Sequence, residues 1–228
     1  MLPQRLEADE LMDDPALDAG TYHAVLHDLA KVNRITFAYR PTLDFLARAL
    51  RGRKSFRLLD VGFGDGDMVR RIARWARWRG IAAELVGIDL NPRSVAAADA
   101  ATPEGMPIRY LAGDYAALAG HGFDFVVSSL VAHHMSHAQL VAFLRFMDRE
   151  ARMGWFVNDL NRHRFAHGAF PLLAGLMGWH RIVRLDGTTS IARSYRPPEW
   201  LPILAEAQVE GAKVHRRFPF RLCVEKIR

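Results

Sequence analysis

Leu58-Leu59-Asp60-Val61-Gly62-Phe63-Gly64-Asp65-Gly66-Asp67 carries more structural information than any other run in this chain. The apolar run Phe56 to Val61 ends at glycines, as a buried strand does, and Asp67 to Arg79 follows with helical periodicity. A glycine turn between strand and helix lets a ligand approach the backbone and accept its N–H groups. Taken alone, it is equally a tight turn. The spacing is Gly62-x-Gly64-x-Gly66, and aspartate stands at 67 where a dinucleotide loop has its third glycine. Asp65 and Asp67 would oppose a pyrophosphate at that helix N-terminus and suit a ligand with a cationic end.

Outward from this stretch the chain alternates. Thr21 to Val32 and Pro41 to Leu50 read as helices, and Ala83 to Ile88 as a strand. Pro92 to Ala101 is a helix capped by Asn91, and Ile108 to Ala112 and Phe123 to Ser129 are strands. Ser136 caps a helix that runs to Glu150, and Met153 to Asn158 is a further strand. Strand–helix alternation predicts an α/β fold with parallel pairing. Leu160 to Arg196 reads as irregular, with one helical stretch near Pro171 to Leu176. Pro197 to Ala207 is a helix, and Gly211 to Ile227 holds two strands around Pro219, an antiparallel hairpin. On the helix after the glycine loop, Met68, Val69, Ile72, Trp75 and Ala76 share one face, and Arg70, Arg74 and Arg77 the other. Trp75 and Trp78 read as packing residues.

Three strand ends carry acids. Asp60 ends the first strand, where it could meet an ammonium group. Asp89, followed by Leu90, ends the second, where a carboxylate can hold a ribose diol. Asp114 follows the third, placed for the exocyclic amine of adenine, with Tyr115 placed to cover the ring. Any one of these is commonly a helix cap. With Asp65, four carboxylates at the ends of successive strands describe a cleft for a ribose, an adenine and an amine.

LLDVGFGDGD, GIDLN, AGDY and FDFVVSSLVAHHM together resemble motifs I to IV of class I S-adenosylmethionine-dependent methyltransferases, in order and spacing, across Phe56 to Leu160. The resemblance implies a Rossmann-like, seven-stranded, mostly parallel sheet with an antiparallel last strand and helices on both faces. It implies S-adenosylmethionine as cofactor, leaving S-adenosylhomocysteine as product. It places Asp60, Gly62 and Gly64 at the methionine end, Asp89 at the ribose, Asp114 at the adenine and Ser129 by the sulfonium. Phe63 and Asp65 occupy loop positions that in the family are often smaller or hydroxylated. LAKVNRI, VNDLNRH and the RSYRPPEW to RRFPFRL tail look like small bacterial methyltransferases of secondary metabolism, distantly similar to the quinone-ring methylating group. Such a chain divides into an N-terminal helical cap (1–52), a cofactor-binding core (53–160), an acceptor-side insertion (161–196) and a final helix with hairpin (197–228).

Composition narrows the function classes. Half of the 228 residues are hydrophobic and a quarter charged, the profile of an ordered globule. One cysteine, Cys223, excludes an intrachain disulfide and a thiolate zinc cluster, and points to a reducing compartment. The first residues carry acids where a signal peptide is basic and then apolar, so a cytoplasmic protein without membrane insertion is expected. Residues 1–20 read as a loose acidic lead-in of net charge −5, which leaves +11 on the rest. A basic body admits an RNA or protein methyltransferase. The Asn/Asp-Pro-Pro-aromatic run of amino-methylating DNA enzymes is absent, since Ser128-Ser129-Leu130-Val131-Ala132-His133-His134 stands in its place. A non-catalytic module that binds S-adenosylmethionine is a third class, and a dinucleotide enzyme a distant fourth. The leading reading is methyl transfer to a small phenolic, quinoid or polyketide-like hydroxyl or ring carbon, by a monomer or homodimer that does not bind nucleic acid.

A phenol acceptor calls for a base with a pKa near 7, which histidine supplies. His133 and His134 are candidates, and His163 is the rival, with Asp159 orienting it or binding substrate. His133, Asp159, Phe165 and Phe170 are the expected acceptor contacts, the last two within an apolar stretch that either lines a pocket or caps the sheet. Arg34 and Arg40 are candidates for the cofactor carboxylate. Adjacent histidines are not expected to face one ion, so no metal is expected.

Overall fold

The structure is a computed structural model that describes every residue except Met1 and Pro3, so those two members of the acidic lead-in lie outside the described residues. After a helical cap of α1 (Ala19–Ile35) and α2 (Arg40–Ala49), the strands and helices alternate. They are β1 (Ser55–Val61), α3 (Asp67–Trp78), β2 (Ala82–Asp89), α4 (Pro92–Ala101), β3 (Ile108–Ala112), β4 (Phe125–Ser129), α5 (His137–Glu150) and β5 (Gly154–Leu160). Then come α6 (Arg164–Leu176), α7 (Arg181–Arg193), α8 (Pro197–Glu206), β6 (Lys213–Arg217) and β7 (Arg221–Ile227). The seven strands form one Rossmann-like sheet in the order β3-β2-β1-β4-β5-β7-β6. β7 runs antiparallel between β5 and β6, as the terminal hairpin predicts.

Both faces of the sheet are covered, and the strand alternation sorts the core. Leu58, Phe125 and Phe156 face α2 and α3, against Phe45 and Ile72. Leu59, Val126 and Trp155 face α5 and α8, against Leu144 and Trp200. Apolar residues on both sides of a strand are what a doubly covered parallel sheet requires. Strand order reverses between β1 and β4, the position where such sheets open a ligand crevice. Register brings Val61 beside Ile88 and Ser128, and Ser129 beside Asn158, so the carboxyl ends of four strands meet at one rim.

The structure differs from the expectations in four places. Residues 161–196 are not irregular. They form α6 and α7, which pack so closely that a Cβ at Gly187 would overlap the Phe170 ring. Gly168, Pro171, Gly175 and Gly187 lower helix propensity, and packing overrides it. The lead-in is not loose. The Leu6 amide donates to the Ala192 carbonyl, and the Leu11 and Met12 amides donate to Asp186. Arg70 is buried against Asp65 instead of facing solvent, while Trp78 is 81% exposed and packs on little. Among the described residues, no helix is long and apolar enough to cross a membrane.

Candidate functional site

The loop between β1 and α3 is shaped by glycine. Gly62 has φ +76°, and a Cβ there would overlap Val131 Cγ2. Gly64 has φ +58°, and its amide donates to Asp89 Oδ2 at 2.9 Å. Asp89 Oδ1 accepts from the Asn91 amide, so this carboxylate ties the glycine loop to the end of β2. Asp67 accepts from Asn33 Nδ2 and Tyr39 Oη, which clamps the cap to the first turn of α3.

Asp60 is buried below this loop, and its Oδ1 has no hydrogen-bond partner. Burial, and then the negative charges of Asp67 and Asp89, push its carboxyl well above the ordinary range. Burial and Asp67 also push Asp65 up to about 6, against the pull of Arg70. Ser129 Oγ, at the end of β4, is another buried orphan. Unpaired buried polar atoms are rare in folded proteins, and here they surround a cavity.

That cavity has a volume of about 800 Å³ and runs from the strand rim into the space between α1, α6 and α7. Asp60, Gly62, Phe63, Gly64, Asp65, Asp89, Leu90, Tyr115 and Ser129 all line it. The Phe63 side chain is buried against Tyr110, so it packs as well as lines. Tyr115 is held by Phe143 and Phe146. Asp114 does not line the cavity. Its Oδ1 caps the short turn Tyr115–Leu118 by accepting from the Ala116 amide. Arg34 and Arg40 do not line it either. Both are exposed, with Arg40 over the Phe37 ring, because they lie on the outer side of the cap.

A different arginine takes the inner position. Arg221, the first residue of β7, lines the cavity and is 2% exposed. Its Nη2 donates to Thr36 Oγ1, while Nε and Nη1 are buried without partners. Burial lowers its pKa in spite of the negative fields of Asp159 and Asp67. Sequence reasoning missed it, because nothing local separates it from 26 other arginines.

The histidines meet at the other side of the rim. His133 and His134 lie on the short helical turn Ala132–His134 that follows β4. His133 Nδ1 lies 2.6 Å from Asp159 Oδ1, and its backbone amide donates to Asp159 Oδ2 at 2.8 Å. Asp159 therefore holds His133 and not His163. His163 caps α6 through Nδ1, is exposed, and lies outside the cavity. Glu10, from the lead-in, is buried 3.6 Å from His133 Nε2 and 3.7 Å from His134 Nε2. Burial would lower the His133 pKa, but Asp159 and Glu10 outweigh it and hold it up to about 9. That direction moves His133 away from the value near 7 that suits a general base. Glu10, whose burial would raise its pKa, is brought down to about 2 chiefly by its contacts with His133 and His134. Phe165 and Phe170 line the cavity. Cys223 is buried, and burial pushes its thiol up to about 12, so it offers no thiolate.

The donor set fits the methionine-bearing cofactor of the resemblance. Asp60 lacks a cationic partner, Arg221 lacks an anionic one, and Asp67 acts on both. An α-amino acid end carries both charges. The glycine cradle between them admits no Cβ at Gly62.

Comparison with known proteins agrees. Residues 58–154 match the Methyltransferase domain family. A ubiquinone biosynthesis O-methyltransferase of Parvibaculum lavamentivorans is 30% identical over 140 residues, covering 58% of this chain and 52% of its own. One of Azorhizobium caulinodans is 34% identical over 102 residues, 43% and 37% of the two chains. The chain thus spans about half the length of the first relative and less of the second. Among solved structures, magnesium protoporphyrin IX methyltransferase from Synechocystis PCC 6803, with bound S-adenosylhomocysteine, is similar. It has a TM-score of 0.58 and 17% identity, covering 94% of this chain and 90% of its own. Human N-acetylserotonin methyltransferase, in complex with S-adenosylmethionine, gives 0.65 and 13%, covering 92% and 56%. At these identities the likeness is one of fold.

Proposed function

We infer that this chain, a class I S-adenosylmethionine-dependent methyltransferase by its fold and by the domain over residues 58–154, methylates a hydroxyl group on a small aromatic or quinone-like molecule. The observation that carries this reading is one continuous cavity. It joins the unpaired Asp60 and Arg221 at the strand rim to an apolar chamber lined by Phe165, Phe170, Leu173 and Val183. That both curated relatives are named for an O-methylation supports oxygen as the acceptor atom.

When bound, S-adenosylmethionine supplies an electrophilic methyl on a sulfonium. Asp60 would receive its ammonium and Arg221 its carboxylate by a two-pronged hydrogen bond. Asp89 would hold the ribose, with Gly62 and Gly64 allowing close backbone approach. Ser129 Oγ lies free beside the place these groups define. The aromatic chamber would take the ring of the acceptor, and the Glu10–His133–His134 group would receive its hydroxyl. Methyl transfer is then chiefly a matter of alignment, and holding two reactants in line is worth up to about 10⁵ M or more in effective concentration. A largely apolar chamber between helices supports a small molecule over an RNA strand, which needs an open basic groove.

Titration calorimetry with S-adenosylhomocysteine and with NADH tests the cofactor. Micromolar binding of the first alone is expected, and its loss in Asp89→Ala. Radiolabelled methyl transfer to a panel of catechols, phenols and hydroquinones then tests the acceptor. Normal binding by Asp89→Ala, or transfer to RNA and to no phenol, would overturn the reading.

A further inference from the structure

Glu10, His133 and His134 each place one ligand atom within 4.8 Å of the others. The separations from the Glu10 oxygens, 3.6 Å to His133 Nε2 and 3.7 Å to His134 Nε2, are too long for good hydrogen bonds. Measured from Oε1 and Oε2 respectively, they come close to what one ion imposes. Two ligand atoms about 2.0–2.1 Å from a metal, at angles of roughly 110–120°, stand about 3.4–3.6 Å apart. The opposite nitrogen of each ring is already engaged. His133 Nδ1 is held by Asp159 and His134 Nδ1 by Asp13, at 2.6 and 3.1 Å. A carboxylate on the far nitrogen is the arrangement that orients metal-binding imidazoles and leaves the near nitrogen free to ligate. Adjacent histidines do face one point here, contrary to the sequence expectation. The tight turn Ala132–His134 brings their ring centroids to 4.3 Å. Ser190 Oγ donates to Glu10 at 2.7 Å and keeps the carboxylate aimed, and Arg193 Nη1, 3.8 Å away, is a neighbouring cation.

We propose that Glu10, His133 and His134 form a binding site for a divalent first-row transition metal, open towards the cavity. Two imidazoles and one carboxylate suit zinc, iron(II), cobalt or manganese, and are unlike the all-oxygen sets of calcium and magnesium. All three residues line the cavity, so a further ligand can reach the ion from the chamber. In its role, though not in its existence, the site rests on the methyl-transfer reading. It would take the acceptor's hydroxyl oxygen as ligand and lower the pKa of that hydroxyl. The hydroxyl proton leaves to solvent past the exposed Asp13 edge. The oxygen–carbon bond forms as the carbon–sulfur bond breaks, and that electron pair stays on sulfur. His133 and His134 then serve as ligands, and neither is needed as a free base.

The experiment uses the full chain without a histidine tag, stripped with chelator and dialysed. Cobalt(II) is added and the visible absorption of a low-coordinate site followed, with zinc competing. One equivalent per chain is expected. His134→Ala and Glu10→Gln should each weaken binding at least tenfold, with far-ultraviolet circular dichroism unchanged, since His134 is part-exposed and Glu10→Gln is isosteric. Asp13→Asn should cost about tenfold by loosening His134. S-adenosylhomocysteine is titrated into the same samples. No cobalt spectrum alongside intact cofactor binding would overturn the metal site and leave the methyl-transfer reading standing. A cobalt spectrum unaffected by both ligand variants would also overturn it. A spectrum lost in the variants, in a protein that binds no S-adenosylhomocysteine, would support the site and overturn the methyl-transfer reading.

Discussion

Replacing Arg221 by methionine should make the protein more stable and its cofactor site weaker, and the two effects have one cause. The guanidinium is 2% exposed, yet only Nη2 has a hydrogen-bond partner, Thr36 Oγ1. Nε and Nη1 donate to nothing. An unsatisfied buried group costs about 1–3 kcal/mol, and more when charged. The fields of Asp159 and Asp67 offset part of that cost, but burial wins, as the lowered pKa of the group indicates. Methionine keeps the apolar stem, removes the orphaned N–H groups and forfeits the Thr36 bond, worth about 1 kcal/mol. The balance is a gain of roughly 1–3 kcal/mol. For a chain of this size each kcal/mol moves Tm by about 2–4 °C. Differential scanning calorimetry of the ligand-free protein should therefore find Tm raised by roughly 2–12 °C. Binding of S-adenosylhomocysteine should fall by about 10- to 150-fold, the worth of a charge-assisted hydrogen bond of about 1.5–3 kcal/mol. A lower Tm with unchanged affinity would mean the opposite. Arg221 would then anchor β7 to the cap, and its free nitrogens would await no ligand.

Asp60→Asn probes the opposite charge. The folded-state pKa of Asp60 is raised, so its contribution to stability is full below the unfolded value near 4 and is lost as pH rises through the folded value. The variant should thus unfold at a higher temperature than wild type at pH 7, the difference closing on acidification, and should bind S-adenosylhomocysteine more weakly. Equal melting temperatures across that range would count against a buried unpaired carboxylate. Gly62→Ala drives a Cβ into Val131 Cγ2 at φ +76°. It should lose roughly 1–3 kcal/mol in denaturant unfolding together with cofactor affinity. Adding Val131→Ala should restore the part due to the clash and leave the part due to the backbone, and full restoration would show that φ costs nothing there.

The glycine loop and the acids that close its neighbouring strands were legible in the sequence because each of these parts is local. Gly62 and Gly64 follow a strand and open a helix, and Asp60 and Asp89 close strands whose apolar runs declare themselves. Where such residues sit relative to each other follows from parallel pairing in register, which alternation predicts. Asp114 and Arg34 mark the limit of that reasoning. The first is placed near the rim but turns its carboxylate to cap a backbone amide, and the second lies on the right helix but on its outer side. Sequence position gives a residue's neighbourhood, and side-chain direction depends on packing.

The long-range part of the candidate site was not legible, for the same physical reason in reverse. Its groups come from segments far apart in the chain. Glu10 meets His133 across 123 positions, and Arg221 meets Thr36 across 185. Nothing near Glu10 announces a buried carboxylate, since a stretch rich in acids ordinarily stays in water. Likewise α6 and α7 hold glycines and a proline that lower helix propensity, and only their mutual packing against the cap restores the helices. Local conformational preference and hydrophobic period are written into the order of residues, and they suffice for the strand–helix alternation, the glycine turn and the acids at the rim. Which charges are buried without partners, and which three side chains converge on one point, came from the folded arrangement alone. Those outcomes depend on long-range burial, which changes the energy of a charge far more than its neighbours in sequence do.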